Sequence, residues 1–202
     1  MRRAVVLTLI IGTAALASGC AFTDATINVA YPEARAGRGA LGTVPPRRIE
    51  IGTLVDRRPE PDKIGYKRNG FNQKTAKIQT SKPVPDIVRE ALAAELGKNG
   101  HVVGGADSEL VLSGEISEFW FDISVGMWVV DFVGTTALQL ELRPRGTDTV
   151  LASRRYRGYH KESAMGGLEG TWEHVMNTAL EHMMRELSTD LALARALRAP
   201  GP

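Results

Sequence analysis

Apolar and polar residues alternate most clearly between residues 110 and 143. Leu110, Leu112 and Ile116 hold even positions, whereas Phe119, Phe121, Ile123 and Val125 hold odd ones. Successive side chains of a strand point to opposite faces, so the change of parity demands one extra residue, a β-bulge near Ser117-Glu118. Parity is even on the return, at Val130, Phe132, Leu138, Leu140 and Leu142, with Asp131, Gln139, Glu141 and Arg143 opposite. Two such runs joined through Gly126 predict a long antiparallel hairpin. Pro144 to Asp148 supply a second turn, and Thr149 to Tyr159 predict the next strand, with Val150, Ala152 and Tyr156 on one face.

Alternation fails at the hairpin tip. Ile123, Val125, Met127, Trp128, Val129, Val130, Phe132 and Val133 are apolar on both faces, and Trp120 points opposite to Phe119 and Phe121. Two-sided apolarity means that both faces are covered. Cover comes either from the chain itself, by the C-terminal helix and the N-terminal segment, or from a partner, a second copy or a membrane surface met by Trp120 and Trp128.

Helical periodicity appears twice. Ile87, Val88, Ala91, Leu92 and Leu96 form one stripe over Pro85 to Lys98. Pro85 suits a first helical position, and Asn99-Gly100 supplies a left-handed stop. Trp172, Met176, Leu180, Met183, Leu187, Leu191 and Ala194 step by three or four, which predicts a single helix from about Thr171 to Leu197. Ser163 to Gly170 connects it to the preceding strand. Arg48 to Asp56 reads as a strand, residues 57–75 as a polar loop broken by Pro59, Pro61, Gly65 and Gly70, and Lys77 to Thr80 as a short edge strand. The predicted architecture is α+β: an antiparallel sheet of four or five strands with two helices packed on one face, over residues 47–198.

The N-terminus reads differently. Arg2 and Arg3 precede an uncharged apolar run from Ala4 to Ala17, too short to span a bilayer. A positive start, a short apolar core and small residues at the exit predict a signal peptide over residues 1–19. Leu16-Ala17-Ser18-Gly19-Cys20 resembles a bacterial lipobox, although leucine is more usual where Ala17 stands. The resemblance implies cleavage before Cys20 and its acylation. Ala15-Leu16-Ala17 is also an A-x-A cleavage site, which would leave Cys20, the only cysteine, as a free thiol. Several acyl chains anchor stably where one holds marginally. Residues 20–46, rich in Gly, Ala and Arg and closing on Pro45-Pro46, read as a lipidated N-terminus and flexible tether. Under the sorting pattern of enteric bacteria, Ala21 points to the outer membrane, facing the periplasm.

Net charge, +2, is that of an ordinary globular protein. Residues 47–82 are uneven, with ten Lys or Arg against four Asp or Glu. They form either a solvated rim or a docking surface that includes Arg57 and Arg58. Nucleic acid is not an expected partner in the periplasm. Catalytic signatures are missing: there is no H-x-x-x-H, C-x-x-C, G-x-S-x-G, Walker A or dinucleotide fingerprint. His101, His160, His174 and His182 are scattered. His174 and His182 stand about 12 Å apart along one helix, too far to share an ion. No catalytic residue, cofactor or metal is therefore expected.

Asp56-Arg57-Arg58 with Ile64-Gly65, Leu112-Ser113-Gly114 with Ile116, and Gly158 together resemble the YajG-like lipoproteins of Gram-negative bacteria. A looser likeness is to α+β envelope lipoproteins that assist larger machines. These resemblances imply an outer-membrane lipoprotein and no catalytic residue. The expected role is non-enzymatic: an anchored protein that docks a partner of an envelope assembly through Trp120, Trp128, Arg57 and Arg58, or associates with itself. The alternative is a carrier or chaperone holding an apolar ligand such as lipid between helices and sheet.

Overall fold

The computed structural model of the chain describes residues 22–165 and 169–199. The predicted leader and Cys20 lie outside them, as do Gly166 and Gly167. The strands are β1 (Ala25–Ile27), β2 (Arg48–Asp56), β3 (Gly65–Arg68), β4 (Lys74–Thr80), β5 (Val102–Val103), β6 (Leu110–Val125), β7 (Val130–Pro144) and β8 (Ala152–Ala164). The helices are α1 (Val84–Lys98), α2 (Glu169–Ser188) and α3 (Leu191–Arg198).

The expected hairpin is the spine of the sheet. β6 and β7 pair antiparallel from Leu110↔Pro144 to Val125↔Val130, and β8 continues the ladder from Leu142↔Ala152 to Val130↔Ala164. Register shifts between Ile116 and Glu118, so Ser117 is the extra residue that the parity change required. Leu110, Leu112, Ile116, Phe119 and Phe121 all end up buried on one face.

The other edge of β6 corrects the predicted sheet. Two strands share it: β2 runs parallel to the first half, from Ile49↔Leu110 to Asp56↔Ile116, and β3 runs parallel at Gly65↔Phe121. β5 adds in parallel to β2, β4 adds antiparallel to β3, and β1 adds in parallel to β4. The sheet is thus mixed and eight-stranded, with three α-helices among the described residues, rather than four or five antiparallel strands with two helices. Alternation reports which face is buried and carries no sign of strand direction. β1, β3 and β5 have two to four residues each, too few for a periodic signal.

The segment read as a tether is packed from Ala25 onward. Ile27, Val29, Tyr31 and Leu41 are buried, and the Tyr31 hydroxyl donates to Glu95 Oε2 at 2.7 Å. Asn99 holds the same segment from both sides, donating to the Gly37 carbonyl at 2.9 Å and accepting from the Gly39 N–H at 2.9 Å. Its apolar residues fill a seam beside α1 one by one, so they follow neither helical nor strand period.

The second predicted helix is two. Asp190 breaks it, capping α3 by accepting from the Ala192 N–H at 2.7 Å. The same side chain accepts from Arg154 Nε at 2.8 Å and the Tyr156 hydroxyl at 2.9 Å. The break turns Leu191, expected on the apolar stripe, out to solvent.

α2 lies unusually close to β7 and β8 because two strand positions lack side chains. A Cβ on Gly158 would overlap the Ala179 carbonyl oxygen, and one on Gly134 would press against Val175 O, 3.0 Å away. Opposite, Phe119, Phe121, Leu138, Met176 and Leu180 are all but inaccessible. The space between helices and sheet is filled.

Candidate functional site

One end of the molecule gathers a group of exposed apolar side chains. Ala25 pairs with Ile78 in parallel, and Asp24 Oδ1 accepts from the Lys77 N–H at 2.8 Å. The chain therefore enters the sheet from the end that carries the β3–β4 turn. That turn abuts the β6–β7 tip: Asn72 Oδ1 faces the Val125 N–H at 3.4 Å, and Arg68 pairs with Asp122 at 3.0 Å. At the tip Met127 and Trp128 are 88% and 81% exposed. Phe22, Phe71, Val129 and Met165 are exposed at the same end. The covered reading of the tip holds for Ile123 and for Phe132, which stacks on Phe121, and fails for residues 127–129.

The other residues singled out from the sequence lie elsewhere. Arg58 is buried where β2 leaves β6 and β3 has not yet joined it. Its guanidinium forms a bidentate pair with Asp56, closest contact 2.7 Å, and donates to the carbonyls of Lys63, Pro61 and Phe119. Such a fully engaged side chain fastens the loop and has no donor left for a partner. Arg57 is exposed and reaches Glu115 at 3.3 Å. Trp120 is half-buried, edge-on to Tyr66 with ring centroids 6.0 Å apart. Arg58 and Trp120 do meet, lining a surface cleft of about 340 Å³ with Pro59, Glu60, Ser117 and Arg155. Trp128 is not part of it.

The basic segment is largely neutralised. Lys63 meets Glu60 and Asp62 at 2.7 Å, Lys77 meets Asp62 at 2.7 Å, and Lys82 meets Glu90 at 2.6 Å. Hydrogen bonds from Lys63 and then Lys77 hold the Asp62 carboxyl down to about 2. These pairings favour a solvated rim over an anion-binding surface.

Three of the four histidines gather, which spacing along the chain did not suggest. His160 of β8 stands between His174 and His182 of α2, its ring 5.9 Å from each and edge-on to both. Glu162, two residues on, shares its face of β8. Burial, then the neighbouring imidazoles of His174 and His182, push the His160 pKa down. His182 Nδ1–H donates to the Tyr159 carbonyl at 2.7 Å, leaving Nε2 unprotonated in the neutral ring. Gly158 is the signal that could have revealed the cluster: a glycine two residues before His160 lets α2 approach closely enough for its histidines to flank that ring.

No helix among the described residues is long and apolar enough to cross a membrane. The family model described as "Uncharacterized lipoprotein" matches residues 48–198. No curated protein is detectably similar to the chain. Among solved structures, protein XCC0632 from Xanthomonas campestris is similar with 15% identity over 85% of this chain and 94% of that one, TM-score 0.53. Lipoprotein GNA1162 from Neisseria meningitidis shares 14% identity over 64% of this chain and 92% of that one, at a TM-score of 0.38. At such identities the first likeness concerns the fold alone, and the second is too low to carry an argument.

Proposed function

The chain belongs to this lipoprotein family, and from that premise we propose a lipid-anchored envelope protein of the YajG-like kind. It is attached at Cys20 to the outer membrane, faces the periplasm, and docks a partner protein of an envelope assembly without catalysing a reaction. The observation that carries this reading is a coincidence of place: the first described residues, Phe22 to Ala25, and the exposed apolar tip share one end. Four residues lie between Cys20 and Ala25, five Cα steps that reach about 17 Å when extended. An anchor at Cys20 therefore holds Trp128, Met127 and Phe71 close to the bilayer surface, where a membrane-borne partner would meet them.

Tryptophan, phenylalanine and methionine are the side chains enriched where proteins meet. Charges of both signs lie beside them, with Arg68 paired to Asp122 and Lys161 to Asp131. The run of basic residues that reads anionic lipid is missing from this rim, which favours a protein over the lipid surface as occupant. The filled space between helices and sheet gives no support to the carrier alternative.

A photo-crosslinking residue at position 128 of the full-length chain, in cells, tests the proposal. The expected product is one discrete protein adduct that disappears in Cys20→Ala. Adducts to lipid alone, or none, overturn the docking role. Acyl labelling that persists in Cys20→Ala overturns the anchor separately.

A further inference from the structure

The histidine cluster has the make-up of a metal site. His160, Glu162 and His174 each present one ligand atom, and these atoms lie within 4.8 Å of one another. Glu162 Oε2 is buried and meets no hydrogen-bond donor. A buried carboxylate oxygen without a donor or a cation is costly to maintain. Among the described residues, no hydrogen bond occupies the imidazole nitrogens of His160 or His174. His160 and Glu162 are half-buried, whereas His174 is exposed, so the site opens to solvent on one side.

We propose that His160, Glu162 and His174 bind a divalent transition-metal ion, zinc being the first candidate. Two imidazoles and a carboxylate form a donor set that suits zinc, and a fourth position stays open to water. Donors on one tetrahedral zinc lie about 3.4 Å apart. The three side chains must therefore close by about 1 Å, which side-chain rotation of the exposed His174 allows. The ion joins adjacent elements: it ties β8 to the first turns of α2, directly behind the apolar tip. His182 stands beside His160 and is already bonded through Nδ1 to the Tyr159 carbonyl, the arrangement that aims Nε2 outward. Glu173, also in the first turns of α2, is engaged with the Asn28 N–H at 2.7 Å.

The test uses the full chain in detergent with Cys20→Ser, which removes the thiol as a competing ligand, after dialysis against chelator. Titration with Zn²⁺ by calorimetry is expected to give one saturable site per chain, and Co²⁺ is expected to give visible absorption of low-symmetry coordination. His174→Gln and Glu162→Gln are each expected to weaken binding by at least about tenfold, while His101→Gln leaves it unchanged. His174 is exposed, so its replacement spares the fold. Should Glu162→Gln misfold, protection of His174 from diethylpyrocarbonate by Zn²⁺ in the parent chain gives a second reading. No saturable binding at micromolar Zn²⁺, or binding undiminished in His174→Gln, overturns the proposal.

Discussion

The two edges of β6 are built in different ways. Toward β7 and β8 the ladder is continuous, antiparallel and broken only at Ser117. Its helical cover, α2, rests on main chain at Gly134 and Gly158. Toward β2 and β3 the edge is split, both neighbours are parallel, and the gap between them is plugged by one buried guanidinium. Backbone pairing and close packing stabilise the first edge, whereas charge-assisted hydrogen bonds stabilise the second. Regular structure follows from a repeating pattern, but the split edge depends on a few individual side chains.

Substitutions separate the two edges, and the largest effect is expected on the regular one. Gly158→Val drives a side chain into the Ala179 carbonyl and levers α2 off the sheet. A loss of about 4 kcal/mol or more is expected by urea unfolding, together with loss of the His160–His174 contact. Arg58→Ala removes the ion pair of Asp56, leaving it only the main-chain N–H of residue 58, and takes the side-chain donor from three carbonyls in the gap, for an expected loss of about 3 kcal/mol. Local hydrogen exchange is expected to rise in residues 57–64 and not in β7 or β8. If exchange rises uniformly, the two edges are one cooperative unit.

Asp190→Ala removes the α3 cap and the acceptor for the Tyr156 hydroxyl, at about 2 kcal/mol. The effect of pH is smaller and sits on the packed N-terminal segment. Burial first, with a further push from Arg47, lowers the His101 pKa below its ordinary value of 6.5. The Arg47 N–H also donates to His101 Nδ1 at 3.3 Å, a bond that a protonated ring cannot accept. The unfolded chain therefore takes up the proton more readily than the folded one. This contribution to stability is complete above pH 6.5 and is lost as pH falls toward the depressed folded value. Melting temperatures from pH 8 to 5 are expected to fall less steeply in His101→Gln. The smallest effect on stability belongs to Trp128→Ser, within about 0.5 kcal/mol of the parent, although the proposed docking is lost. A large drop in stability would mean that the tip is part of the core.

The strands β2, β6 and β7, the bulge at Ser117 and helix α1 were all legible, because each repeats a pattern over many residues. The end of the second helix was not. Asp190 looks like one polar residue on an exposed face until Arg154 and Tyr156 arrive from β8 to share it. Of the residues singled out for docking, Trp128 is exposed at the tip, whereas Arg58, legible as a charge in a basic loop, is a buried fastening. Burial of a guanidinium depends on partners distant in sequence, which composition cannot supply.

By itself the chain determined the helical and strand periods and the parity change that forces a bulge, since these are local consequences of where apolar side chains fall. Only the tertiary structure decided strand direction, the packing of residues 25–46, the shared end of the start of β1 and the apolar tip, and the meeting of His160, Glu162 and His174. Each of those is a contact between segments far apart in sequence. Such contacts are set by which surfaces fit together, as at Gly158, where a missing side chain brings the histidines of α2 against β8.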